Sequence, residues 1–236
     1  MQFIGQQLRH ELKFYIHVHE YIALRQRLTA YLKMDKYSLD EEGYGISSLY
    51  FDGILNQALY DKNDGIFHRE KYRIRIYNGS TDVISVECKI KYGEYISKQR
   101  ALISMEEYQS ILAGDYTCLA KKEDPLLKKF YRRLMYEGFK PAVIVDYCRE
   151  AYQYDLGNVR ITFDKRLAAG IGSIDLFDPA LVYEEVLQPT MTILEVKFDD
   201  YLPDVVRQIL QLDAHNRSAI SKYVLCREVA IKHFKE

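Results

Sequence analysis

The feature that most constrains this chain is a row of four cations at alternate positions: Arg69, Lys71, Arg73 and Arg75. Tyr72, Ile74 and Ile76 fill the other positions. A period of two is that of a β-strand, so the cations share one face and the apolar side chains the opposite one. At strand rise the cations stand about 6.5–7 Å apart along the row. Like charges this close repel, and if the face is enclosed they require a compensating anion. Phosphate oxygens suit, because Arg grips them in bidentate fashion and Lys acts as a compact point charge.

The same two-faced pattern recurs. Asn78-Gly79 reads as a hairpin turn, and residues 83–91 return with Ile84, Val86, Cys88 and Ile90 on one face and Glu87, Lys89 and Lys91 on the other. Residues 8–16 separate Leu8, His10, Leu12, Phe14 and Ile16 from Arg9, Glu11, Lys13 and Tyr15. Val159, Ile161 and Phe163 alternate with Arg160, Thr162 and Asp164, and Leu194, Val196 and Phe198 with Glu195 and Lys197. Residues 47–52, 95–104 and 142–152 read as further strands, the last carrying Tyr147 and Arg149. Helical spacing marks 20–34, 125–136, 203–212 and 218–226, and Ser104 with Glu107 forms a capping box at a helix start. No repeat or linker divides the chain, so a single domain over 1–236 is expected.

Strands with one apolar and one charged face admit two architectures. In a sandwich the charged faces meet solvent. In a closed barrel they line the interior, and helices cover the apolar outside. The crowding of like charge on one strand favours the barrel. Net charge is only −1, from 33 Lys+Arg and 34 Asp+Glu. A general nucleic-acid binder would carry a basic excess, so any anion site must come from local sorting of charge. No apolar run reaches the roughly 20 residues of a membrane span, the start lacks a signal-peptide layout, and the four cysteines are scattered. A cytoplasmic protein without disulfides or membrane insertion is expected. His17 and His19 are read as ordinary polar positions. With neither a P-loop nor a GxGxxG segment, phosphate would be held by side chains rather than by a backbone cradle.

Eight segments carry a family resemblance in order: RHELKF (9–14), SLYFD (48–52), KYRIRIY (71–77), ECKIKYGEYISKQR (87–100), DYCREAY (146–152), VRITFD (159–164), LEVKF (194–198) and ISKYV (220–224). Each is weak singly; the ordered set, spanning about residues 8–230, resembles the VTC domain. That domain is the polyphosphate polymerase module of the triphosphate tunnel metalloenzymes, a superfamily that includes the CYTH proteins. The resemblance implies an α+β fold, an antiparallel β-barrel tunnel of about eight strands with helices packed on the outside. It implies transfer of the γ-phosphoryl group of ATP to a growing inorganic polyphosphate, with Mn²⁺ or Mg²⁺ as cofactor. By the same resemblance Lys13, Arg73, Arg75, Lys89, Lys98, Arg149, Arg160 and Lys222 are catalytic, Ser221 contacts substrate, and Glu195 binds metal.

The charged faces add Lys71, Lys91, Arg100, Lys197 and Arg9 as substrate contacts, the second, third and fifth at the tunnel mouths or outside, and Glu11 and Glu87 as further metal ligands. Glu195 has an alternative use as an ion-pair partner of Lys197 or Arg160. The superfamily's opening ExExK here reads Arg9-x-Glu11-x-Lys13, which departs from the arrangement of a hydrolase. Inorganic triphosphatase and non-catalytic polyphosphate-binding module are the two other expectations. No SPX segment is visible, so regulation by that route is not expected.

Overall fold

A computed structural model describes residues 2–3, 6–35, 37–38 and 42–233; the two ends of the span 1–236 lie outside the described residues. Eight long strands carry the architecture: β1 (Arg9–His17), β2 (Tyr44–Asp52), β3 (His68–Tyr77), β4 (Ser80–Tyr92), β5 (Tyr95–Ile103), β6 (Lys140–Tyr154), β7 (Val159–Ile171) and β8 (Met191–Phe198). Neighbours run antiparallel throughout. The sequence β1-β8-β7-β6-β2-β3-β4-β5 returns to β1, so the strands form a ring. Short strands Lys33–Met34 and Val182–Glu185 extend it at β6 and β7.

The expected turn between β3 and β4 is present. Asn78 and Gly79 both adopt positive φ, 52° and 65°, as a two-residue turn with the strands' own twist requires. The apolar faces point outward beneath helices. Tyr72, Ile74 and Ile76 of β3 and Ile84, Val86 and Cys88 of β4 pack under α3 (Met105–Leu112), α4 (Thr117–Ala120) and α5 (Pro125–Tyr136). Ser104 caps α3 in the expected capping box with Glu107, and Asp124 caps α5 ahead of Pro125, which has no N–H to lose there. On the far side α1 (Val18–Tyr31) and α6 (Asp204–Leu210) cover Phe14, Ile161, Phe163 and Val196. His17 caps α1, with its ring accepting from the His19 amide.

Three local expectations change. α1 stops at Tyr31, because Leu32 turns extended and residues 33–34 find backbone partners on β6. The last helix, α7 (Lys222–His233), starts four residues later than its periodicity suggests. The cause lies at the seam between β1 and β5, which pair only through Arg9–Ile96 and His10–Tyr95. Past that point β1 needs another partner, so Arg217 bridges Phe14 and the Ser218 amide donates to the Lys13 carbonyl at 2.9 Å. The third change is a seven-residue helix, α2 (Gln57–Asn63), where the sequence shows no helical period. Its amides at Ala58 and Leu59 donate to the buried Asp52 carboxylate.

Candidate active site

The ring encloses a cavity of about 1150 Å³, and each of the eight strands contributes to its wall. Among the described residues fifteen lysines and arginines line it, against three glutamates. A chain of net charge −1 has therefore sorted its cations inward. Three clusters hold most of them in place.

The first forms where β3 meets β2 and β4. Register sets Arg73 beside Tyr50 and Glu87, and Arg75 beside Ser48. Arg73 donates to Glu87 Oε2 at 2.6 and 2.9 Å and to the Tyr50 hydroxyl at 2.7 Å. Arg75 donates to Ser48 and Tyr147 hydroxyls at 3.0 and 3.1 Å, and Lys98 to Glu87 Oε1 at 3.0 Å. Glu87 is fully buried. Burial alone would raise its carboxyl, yet Arg73, Arg75 and Lys98 hold it well below the usual carboxylate range. Tyr50 feels the same pair: burial raises its phenol, and Arg73 and Arg75 bring it below the ordinary value.

In the second cluster β6 faces β7. Arg149 forms a two-pronged pair with Asp164 at 2.6 and 2.8 Å, and Lys222, at the start of α7, reaches the same carboxylate at 2.5 Å. Arg160, farther along β7, donates to Asp35 at 2.6 Å and to the Tyr44 hydroxyl at 2.9 Å. The Arg160 Nε, buried beside them, has no hydrogen-bond acceptor among the described residues.

The third cluster spans β1 and β8, where register puts Lys13 opposite Glu195 and Glu11 opposite Lys197. Lys13 Nζ lies 3.4 Å from Glu11 and 3.3 Å from Glu195. Lys89 closes on Glu11 at 2.7 and 2.8 Å, and Lys197 donates to Glu195. Burial would neutralise either glutamate, but Lys197, Lys13, Lys222 and Arg149 hold Glu195, and Lys13, Lys89 and Lys197 hold Glu11, far down in the ionised range. Burial pushes the Lys197 ammonium down to about 8 despite the two carboxylates.

Of the residues expected from the sequence, Arg9, Glu11, Lys13, Lys71, Arg73, Arg75, Lys89, Lys91, Lys98, Arg149, Arg160, Glu195, Lys197, Ser221 and Lys222 all line this one cavity. Two do not. Arg100 is exposed and outside the lining. Glu87 sits behind the wall with both oxygens engaged, which makes it an anchor for Arg73, Arg75 and Lys98. Asp164 and Asp35 play the same part but were not singled out, since nothing local distinguishes an anchoring aspartate from a solvated one. Lys62, Arg217 and Tyr50 also reach the wall unforeseen, and Arg69 joins them there. Arg69 belongs to the four-cation row and was legible there; Lys62, on the short α2, was not.

Among the described residues no three His, Cys, Asp or Glu side chains converge as a protein-built metal cage. The donor set nevertheless fits Mn²⁺ or Mg²⁺ in a narrower sense. Glu11 and Glu195 flank one ammonium and face the cavity, and hard cations of this size commonly take one or two carboxylates with substrate phosphates and water completing the shell. Glu87 does not fit, because it lies outside the lining of the cavity.

An antiparallel ring with helices outside and a cation-lined interior defines a protein of the triphosphate-tunnel class. The chain belongs to the VTC domain family, whose model matches residues 8–231. Among solved structures it is similar in fold to the PH1012 protein from Pyrococcus horikoshii OT3, with TM-score 0.50, 14% identity, and coverage of 92% of this chain and 98% of that one. It is also similar to a Bacillus halodurans protein described as a "putative adenylate cyclase", with TM-score 0.52, 13% identity, and coverage of 92% and 96%. Comparison with curated proteins gives no match. Among the described residues no helix is long and apolar enough to cross a membrane.

Proposed function

We propose that this protein is a metal-dependent polyphosphate polymerase, transferring the γ-phosphoryl group of ATP to the end of a linear inorganic polyphosphate held in the cavity. The observation that carries the reading is the excess of cations, fifteen against three glutamates, on the wall of an enclosed space in a member of the VTC domain family.

A terminal oxygen of the acceptor chain forms a new bond to the γ-phosphorus as the bond to the β,γ-bridging oxygen breaks, and ADP leaves with that electron pair. Such a transfer needs little covalent help; positioning and charge neutralisation supply the acceleration. Arg73, Arg75, Lys13 and Lys89 grip the triphosphate. Arg149, Arg160, Lys98 and Lys222 orient the acceptor end and neutralise charge at the transferring group. Glu87, Asp164 and Asp35 hold these cations in fixed rotamers, so that little reorganisation accompanies reaction. Lys71, Lys91, Arg9, Lys197 and Ser221 line the path of the chain. Glu195 and Glu11 would hold Mn²⁺ or Mg²⁺, which when bound draws charge from the phosphate oxygens.

Incubation with ATP and Mn²⁺, with products resolved by gel electrophoresis and phosphate release measured in parallel, tests the reading. Long chains are expected. Orthophosphate alone would make the protein a triphosphatase, and tight tripolyphosphate binding without turnover a binding module.

A further inference from the structure

Several hydroxyls line the cavity, and they differ in what they meet. Tyr44, Tyr50 and Tyr147 accept hydrogen bonds from Arg160, Arg73 and Arg75, and a guanidinium keeps its protons at any working pH. Tyr223 turns its hydroxyl away to the buried Asp52 at 2.5 Å. Ser221 meets a lysine instead. Its Oγ lies 3.0 Å from Lys71 Nζ, and both residues are half-buried on the cavity wall. An amine, unlike a guanidinium, becomes a base once its charged form is destabilised.

The surroundings of Lys71 destabilise that charge. Register sets Lys89 directly opposite it across β3 and β4. Arg69 stands two residues along the same face and binds the carbonyls of Asp61 and Lys62 at 3.2 and 3.3 Å, which draws Lys62 in from α2. Glu11 goes to Lys13 and Lys89, and among the described residues no carboxylate pairs with Lys71. From α7 the Tyr223 ring centroid lies 4.8 Å from Nζ. Burial, followed by the nearness of Lys89, Lys13, Arg69 and Lys62, holds the Lys71 ammonium well below its ordinary value. Ser221 is prepared from its other side. The Val224 amide donates to its Oγ at 3.4 Å, and a donor there favours negative charge on the oxygen. Lys13 reaches the carbonyl of Ile220 at 3.2 Å and Lys222 follows in the chain, so two of the cations assigned to the phosphates flank this hydroxyl.

We propose that Ser221 is a phosphoryl acceptor, modified by the nucleoside triphosphate in the cavity with Lys71 as general base. Ser221 Oγ forms a bond to the γ-phosphorus as the bond to the β,γ-bridging oxygen breaks, and the nucleoside diphosphate leaves with that electron pair. The hydroxyl proton passes to Lys71 Nζ, which ends as an ammonium beside the new phosphoserine. The modification thus supplies the counter-ion that Lys71 lacks, about −1.5 to −2 in charge near neutral pH. The inference rests on the reading of the cavity as a triphosphate site, but adds what that reading does not need: transfer between free substrates uses Ser221 as a contact only.

The test is mass spectrometry of the full chain and of its peptides after incubation with ATP and Mn²⁺, with ATP binding measured separately by calorimetry. The wild type is expected to gain one phosphoryl group, on Ser221, and Ser221→Ala to gain none. Lys71→Arg carries a charge that cannot be lost, so it is expected to bind ATP at least as tightly as the wild type while labelling Ser221 about 100-fold more slowly or worse. Circular dichroism checks that both variants fold. ATP bound without label on Ser221 would overturn the inference and leave the transferase reading standing. Labelling of Lys71→Arg at the wild-type rate would overturn the role of the base, and a wild type that binds no ATP would overturn the inference and the transferase reading together.

Discussion

Arg149 and Asp164 face each other across adjacent antiparallel strands and meet through two hydrogen bonds of 2.6 and 2.8 Å. Asp164 is fully buried, and Lys222 shares it from a helix more than fifty residues later in the chain. One carboxylate thus fixes two cations from different elements and ties α7 to the ring. Substituting Asp164→Asn would leave both cations without their counter-ion in a buried setting. The expected result is a loss of about 3 kcal/mol of stability in the free protein, recovered in part by saturating tripolyphosphate, whose charge replaces the lost one. Thermal melts with and without the anion check this.

Arg75 gives the opposite balance. It is buried next to Arg73, its bonds go to two hydroxyls, and Glu87 stays paired to Arg73 and Lys98 without it. Arg75→Ala is expected to reduce turnover by about 100-fold or more with a melting temperature unchanged or raised, because enclosed like charge is relieved. Activity and stability falling together would make this arginine a structural group.

The depressed lysines set a pH dependence with two signs. Burial lowers Lys197 to about 8 from its ordinary 10.5. Between those values the unfolded chain binds the proton and the folded chain does not, so the stability of the free protein is expected to rise as pH climbs from about 8 toward 10. Anion binding favours the charged form, so tripolyphosphate affinity is expected to fall over the same window. Urea unfolding and calorimetric titration at matched pH values measure the two trends; parallel trends would contradict the assignment.

Glu11 and Glu195 are surrounded by five cations, Lys13, Lys89, Lys197, Lys222 and Arg149, all within 4.0 Å of their oxygens. A free divalent ion is repelled by that surplus until a polyanion offsets it. Mn²⁺ titration followed by electron paramagnetic resonance is expected to show weak binding to the protein alone and tight binding once tripolyphosphate is present. Glu195→Gln should weaken the second and leave the first unchanged.

Much of this was legible in the sequence. Alternation in residues 69–77 and 83–91 stated which side chains share a face, and the cations it grouped line the cavity. Alternation could not say which face looks inward, because a sandwich and a ring have the same period; closure is a property of all eight strands. Asp164, Asp35 and Glu87 were out of reach as anchors for the same reason, since their partners arrive from other strands. Lys62 was hidden by α2, which owes its place to the Asp52 carboxylate at its first turn rather than to an apolar stripe. Arg100 shows the reverse: it continues the charged row of β5 beyond Lys98, but Lys98 and Arg73 already occupy Glu87 and the side chain turns out to solvent.

The central claim is that the enclosed cations hold a phosphate chain. A crystal structure of the protein soaked with tripolyphosphate and Mn²⁺ addresses it most directly. The account predicts phosphate oxygens within hydrogen-bonding distance of Arg73, Arg75, Arg149 and Arg160 inside the ring. Phosphate bound only on the outer surface, with the ring interior holding solvent alone, would contradict it.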